Sequence, residues 1–293
     1  MLDRKTFEIV TDSSADLSYD MCKELRVYEI PLSVYIDSKV FKDYPDEREI
    51  SRKNFYDILR KGIIGHTSAP NVSDFYNEFE RILKNKKDIL YIAFSSGLSA
   101  TCANAKIAAG QLKYLYPENK ILICDSLSAS LGQGLLVYFA VKKKEIGYSI
   151  EEVFNFVEKE KFNVCHFFTV DNLHHLQKGG RISKLAAVAG SILSIKPILH
   201  VDEKGKLVKL YNVRGRKNAI EELFDNLKER IASVKNQTIF ISHGDCEKDA
   251  IFLKNIIKEN LRPERVYINT IGPVIGMHSG PDTLALFFVG NNR

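Results

Sequence analysis

The chain has 293 residues, 45% hydrophobic and 27% charged, which is enough for a large core and for two domains. Its net charge of +5 is modest and its basic residues are scattered, KKKEIG at 142–147 reading as a solvated helix end. That balance gives no case for nucleic acid and leaves a weak preference for an anionic ligand or an acidic partner.

Phe7–Val10 reads as a short strand ending in the polar turn Thr11-Asp12-Ser13-Ser14, with a helix over Leu17–Leu25. Val27–Ile36 is β-branched and aromatic, contains Pro31, and reads as extended. Ser51 caps a helix to about Lys61, with Phe55, Ile58 and Leu59 on one face. Gly65–Pro70, which carries Thr67 and Ser68, reads as a loop before an amphipathic helix over Val72–Leu83. The apolar run Ile89–Phe94 then ends in Ser95 and Ser96; Gly97 lets the backbone turn, and Ser99 starts a small-residue helix to about Tyr114. Ile121–Cys124 is a strand ending in Asp125-Ser126-Leu127-Ser128, followed by a helix over Leu135–Lys144. Ser149 and Glu152 fit a capping box that opens a helix ending near Lys161.

Strand, polar turn and helix thus recur, which predicts a mostly parallel sheet with helices on both faces. In such a sheet the turns at Asp12–Ser14, Ser95–Ser96 and Asp125–Ser128 share one edge and can share one crevice, with the Thr67 segment nearby. After Lys161 the pattern shifts. Val164–Val170 is a strand, and Asp171 can cap a short helix ending at Lys178-Gly179-Gly180-Arg181. Ser183–Leu193 reads as a small-residue helix, and Ile198–Val201 and Leu207–Val213 flank a hairpin turn at Asp202–Gly205. Helices over Ala219–Ile231 and Ala250–Asn260 and strands over Thr238–Ser242, Val266–Thr270 and Thr283–Val289 complete the chain. The reading is a two-domain α/β protein. Residues 1–162 form the mostly parallel sheet, and residues 163–293 form an α/β domain with a mixed or antiparallel sheet.

The five cysteines form no C-x-x-C pair, and several lie in apolar runs, as reduced thiols do. The N-terminal residues lack the apolar core of a signal peptide. The apolar segment Leu131–Val141 is interrupted by Gly132, Gln133 and Gly134 and is far shorter than the ~20 residues that span a bilayer. A cytoplasmic chain without an integral membrane segment is expected.

Three polar constellations stand out. Thr67, Ser68, Ser95 and Ser96 offer neutral donors with no Lys or Arg in their immediate loops, and neither phosphate-binding glycine motif is present. A single carboxylate suits these residues better than a polyphosphate; the plain alternative is caps and turns. His278 lies among five Gly and Pro residues in Ile271–Pro281, where the backbone can approach a ligand closely; a structural histidine is the plain alternative. Arg181 and Arg214 sit beside glycines and suit phosphate or an acidic partner surface, or else helix ends and surface charge. A serine hydrolase built from Ser96, His278 and Asp12 or Asp125 is an enzymatic alternative, but the G-x-S-x-G elbow is absent because Ala100-Thr101 ends the run. The histidines and cysteines lack metal-site spacing, so no metal is expected.

Five segments occur in order: Ile9–Leu17 (IVTDSSADL), Thr67-Ser68-x-Pro70, Ser95-Ser96-Gly97-Leu98-Ser99, Lys178-Gly179-Gly180-Arg181-Ile182, and Gly272-Pro273-x-Ile275-Gly276-x-His278-x-Gly280-Pro281. Together they resemble the DegV family of bacterial fatty-acid-binding proteins across essentially the whole chain. The resemblance implies a non-enzymatic carrier that buries one long-chain fatty acid between two domains. Its partner would be a separate fatty acid kinase, which makes acyl phosphate for phospholipid synthesis; transient membrane contact is compatible with this role. The resemblance further implies no cofactor. Thr67, Ser96 and His278 would hold the carboxyl group, with Ser68 and Ser95 in support, and Arg181 and Arg214 would face phosphate or kinase. Leu98, Phe167, Phe168, Leu193, Ile195 and Ile275 are tunnel candidates. Ala69 stands where the family often has Gln, and Ala100 where Gly is frequent. Asp282 stands where Gly is common, and its charge is expected to raise the pKa of His278.

Overall fold

The computed structural model describes residues 6–63, 65–171, 173–183, 194–235, 237–291 and 293. Strands β1 (Phe7–Asp12), β2 (Tyr28–Ile30), β6 (Asp88–Ala93) and β7 (Ile121–Asp125) form an all-parallel sheet in the order β2-β1-β6-β7. The period-two alternation of β6 decides its two faces. Ile89, Tyr91 and Ala93 pack toward α3 (Val72–Leu83) and α4 (Thr101–Leu115), where Phe75, Phe79 and Tyr91 form an aromatic triad with centroids 5.4–5.7 Å apart. Leu90 and Ile92 pack on the other side with α5 (Leu131–Glu145) and α6 (Ile150–Glu160). Helices therefore cover both faces, and each fully buried side chain of this size contributes about 1.5–3 kcal/mol.

The second sheet has the order β10-β9-β8-β13-β11-β12. Its strands are β8 (Val164–Thr169), β9 (Ile195–Val201), β10 (Leu207–Arg214), β11 (Thr238–His243), β12 (Arg265–Thr270) and β13 (Leu284–Val289). Only β11 and β12 pair in parallel, so the sheet is mixed. The hairpin anticipated around Asp202–Gly205 is β9–β10. Helices α8 (Arg216–Arg230) and α9 (Glu247–Asn260) cover the face bearing Phe167, Leu286 and Phe288. The opposite face, with Phe168, Ala285 and Phe287, meets α5.

Helix α5 thus lies between the two sheets and is buried along nearly its whole first ten residues. The Gly-Gln-Gly that interrupts its apolar run is what lets it fit. A Cβ on Gly132 would lie 2.1 Å from His166 Nε2, and one on Gly134 would lie 2.9 Å from the Ala15 carbonyl. Gln133 donates to Thr11 Oγ1 at 2.9 Å and Asp12 Oδ2 at 3.2 Å.

Two expected loops are regular structure. The segment expected to be extended over Val27–Ile36 divides at Pro31 into β2 and β3 (Ser33–Ile36). Strand β3 pairs antiparallel with β4 (Lys39–Lys42) and with β5 (Gly65–Ser68), the segment read as the Thr67 loop. Four polar or small residues carry no strand signal alone; pairing with β3 supplies it. The His278 segment is α10 (Pro273–Ser279), with Gly272 at its N-cap and Pro273 in its first turn, where a missing N–H costs nothing. Helix α1 (Tyr19–Leu25) and α2 (Arg52–Arg60) are capped by Ser18 and Ser51, and α6 has its Ser149–Glu152 box. The short α7 (His174–Lys178) starts without a side-chain cap: its N-cap is Leu173, and Asp171, two positions earlier, pairs with Lys196. The helix anticipated over Ser183–Leu193 lies outside the described residues from position 184 onward. Among the described residues, no helix is long and apolar enough to cross a membrane.

Candidate functional site

A largely apolar cavity of about 90 Å³ lies beside α5, α10 and the second sheet, where a single water needs about 10–15 Å³. Leu98, Phe94, Phe168, Phe287, Val274 and Ile275 supply apolar wall. Of the tunnel candidates, Leu98, Phe168 and Ile275 line it. Phe167 faces the other side of β8, stacked on Phe288 at 6.1 Å with Arg230 over its ring. Ile195 is not among the lining residues, and Leu193 lies outside the described ones.

One end of this cavity is polar. Thr67 on β5 and His278 in the last turn of α10 meet with Oγ1 and Nε2 2.7 Å apart, though 211 positions separate them in sequence. Alternation along β5 turns Thr67 and Ala69 to the cavity and leaves Ser68, paired opposite Ser33, off its lining. Burial pushes the His278 imidazole down to about 4, helped by the nearby Arg181 and His175 charges, so it is neutral at physiological pH. The rise expected from Asp282 does not occur: Asp282 is drawn to Arg60 at 3.3 Å.

Two glycine motifs interlock here. A Cβ on Gly179 would lie 2.2 Å from His278 Nδ1, and one on Gly280, at φ +82°, would lie 2.5 Å from the His175 ring. Gly179-Gly180 and the Gly280 end of α10 thus shape one another around two histidines. Arg181 closes the same end. Its guanidinium donates to the Leu98 carbonyl at 3.2 Å and the Gly179 carbonyl at 2.5 Å, and burial lowers its pKa. No carboxylate among the described residues forms an ion pair with it. A half-buried cation on neutral carbonyls favours an anion. Arg181, Thr67 and His278 also border an adjoining antechamber of about 130 Å³, with His66, His175 and Lys178.

The serines take different places. Ser95 is buried; its hydroxyl donates to the Gly205 carbonyl at 2.8 Å and accepts from Gly97 N–H at 3.1 Å, tying its turn to the β9–β10 turn. Ser96 is exposed, its N–H on Asp125 Oδ1 at 3.1 Å, and its side chain is not among the cavity lining. Ser99 lines the cavity and bonds Thr101 Oγ1 at 2.8 Å; α4 begins two residues later than expected, without a side-chain cap. Asp12 is a buried knot that accepts from Tyr91 Oη at 2.6 Å and Phe94 N–H at 3.0 Å. The imidazole partner of a hydroxyl is therefore Thr67's, not Ser96's. Arg214 is exposed on β10 and borders neither cavity.

Sequence reasoning missed two acids. Asp16 Oδ1 accepts the Gly272 N–H at 2.8 Å, and Asp43 Oδ2 accepts the Val274 N–H at 3.3 Å, so both cap the helix that carries His278. Asp16 closes the IVTDSSAD motif, so its signal was visible but its target was 256 positions away.

A DegV family model matches residues 6–291. The chain belongs to the DegV family. A DegV domain-containing protein of Clostridium perfringens is 45% identical over 289 residues, covering 99% of both chains. Among solved structures, a DegV lipid binding protein from Thermotoga maritima superposes with a TM-score of 0.86 at 28% identity, over 98% of this chain and 99% of that one. A DegV family protein from Thermus thermophilus, whose structure is described as showing fatty acid binding, gives 0.87 at 27% identity over 97% and 99%. The parallel and mixed sheets described above are thus the DegV fold.

Proposed function

We propose that this DegV chain is a fatty-acid carrier, not an enzyme. It holds one long-chain acid in the cavity and presents the carboxyl group to a separate fatty acid kinase. The observation that carries the reading is a mostly apolar cavity ending at Thr67, His278 and an arginine that has no carboxylate partner among the described residues. That pattern matches a ligand with one negative headgroup and a long tail, each buried methylene contributing about 0.8 kcal/mol. Thr67 and His278 hold the carboxyl group, and Arg181 supplies the compensating charge. Ser95 acts from behind by fixing its turn, while Ser68 and Ser96 flank the site. Residues 1–162 and 163–293 are the two domains that supply opposite walls. The antechamber beside Arg181 gives the headgroup an outlet toward kinase and phosphate, with Arg214 on the surrounding surface. The acyl phosphate would feed phospholipid synthesis in the cytoplasm.

Native mass spectrometry of the purified protein with lipid extraction tests the reading. A non-covalent acyl chain is expected; no acyl chain, or an acyl ester on serine, overturns it. Thr67→Ala and His278→Ala each lower acid affinity by about tenfold, the loss of one charge-assisted hydrogen bond. Ser96→Ala has a smaller effect, because Ser96 flanks the site; a loss equal to that of Thr67→Ala would reject that placement. Retention of wild-type binding and kinase delivery by the Thr67/His278 double variant would reject the assignment.

A further inference from the structure

The cavity has a second polar feature that the headgroup does not use. Ser130, at the start of α5, and Ser242, on β11, both line it, and their hydroxyl oxygens are 2.9 Å apart. Behind them, Ser130 Oγ donates to Asp16 Oδ2, whose other oxygen caps Gly272 at the start of α10. His278 follows Gly272 by six positions, about 9 Å along a helix axis. This serine pair therefore lies near one end of α10 and the Thr67–His278 pair near the other, with Val274 and Ile275 lining the wall between.

We propose that Ser130 and Ser242 form an inner polar subsite that takes a neutral oxygen function, a hydroxyl on the middle of a bound acyl chain. The proposal rests on the fatty-acid reading above. Charge selects the ligand class. Arg181 lines the cavity at its other end, so a carboxylate is favoured there, while the serine pair, backed by the buried Asp16 carboxyl, offers it no compensating cation. A hydroxyl has no such conflict and both donates and accepts. Capacity for it remains: among the described residues Ser130 is the hydrogen-bond partner of the Ser242 side chain, and a serine hydroxyl can make up to about three bonds. An all-hydrocarbon chain would leave that capacity unused inside an apolar cavity, whereas a hydroxylated chain would use it.

The test is competitive displacement of a fluorescent fatty acid from the delipidated full chain. Competitors are stearate and hydroxystearates bearing the hydroxyl next to the carboxyl, near mid-chain, or at the methyl end. A mid-chain hydroxyl is expected to bind about tenfold more tightly than stearate, about 1.4 kcal/mol, and the other two isomers are not. In Ser242→Ala the ratio of the two affinities falls to near one. Stearate binding without mid-chain preference overturns the subsite and leaves the carrier reading standing. A preference that survives in Ser242→Ala and Ser130→Ala overturns its assignment to these residues. Failure of every acid to bind rejects the carrier reading and this proposal with it.

Discussion

Single residues here are poised against one another by burial. The Asp16 carboxyl is pushed up to about 8 and Asp43 to about 6, in both cases chiefly by burial, and Asp12 and Glu29 are raised for the same reason. A carboxyl whose folded pKa exceeds its unfolded one contributes stability that is full below about pH 4 and is lost as pH rises through the folded value. His278, held near 4 against an unfolded 6.5, works in the opposite sense: its contribution is present above 6.5 and is lost as pH falls toward 4. Buried His166 acts likewise. Thermal stability should therefore peak on the acid side of neutrality and decline toward pH 9. Asp16→Asn copies the protonated acid, keeping an acceptor for Gly272 and a partner for Ser130. Its Tm should fall less than wild type between pH 6 and pH 9, by a few degrees; parallel curves would refute the role of Asp16. A bound carboxylate beside His278 should raise the imidazole pKa. An NMR titration of ring protons, with and without acid, should show a rise of about one unit or more.

Between elements, contacts that need a missing side chain hold the site. Gly205 sits at φ +69°, and a Cβ there would lie 2.1 Å from Ser95 Oγ. A Cβ on Gly97 would in turn lie 2.6 Å from the Lys204 carbonyl. The turn after β6 and the turn between β9 and β10 therefore fit only as glycine against glycine. Gly205→Ala should cost about 1–3 kcal/mol from backbone strain and lost fit, read as a lower urea midpoint. Gly179→Ala should displace the His278 ring and weaken acid binding more than it lowers Tm. This level also shows what the sequence made legible. The hydroxyl turns, Gly179 and the His278 segment were all marked by residue type. Their secondary structure was not, because β5 is a strand only by pairing with β3, and α10 a helix only with Asp16 and Asp43 at its start. Ser95 and Ser96, neighbours in sequence, went to different places because one hydroxyl found Gly205 and the other faced outward.

Across the whole molecule, the strand–turn–helix rhythm foretold the parallel sheet with helices on both faces, and the Asp202–Gly205 hairpin pointed to a mixed or antiparallel second sheet, which is mixed. What it did not reveal was α5 as the shared layer between the sheets, since a helix buried all round has no polar face to betray its neighbours. The pairing of Thr67 with His278 has a consequence in time. Its partners are 211 residues apart, and the Asp16 cap of the same helix spans 256. Contacts of such span carry the largest loop-closure cost, so they are expected to close late. On dilution from denaturant, acid uptake should lag the recovery of helical signal, so a loaded cavity would mark a chain that has finished folding.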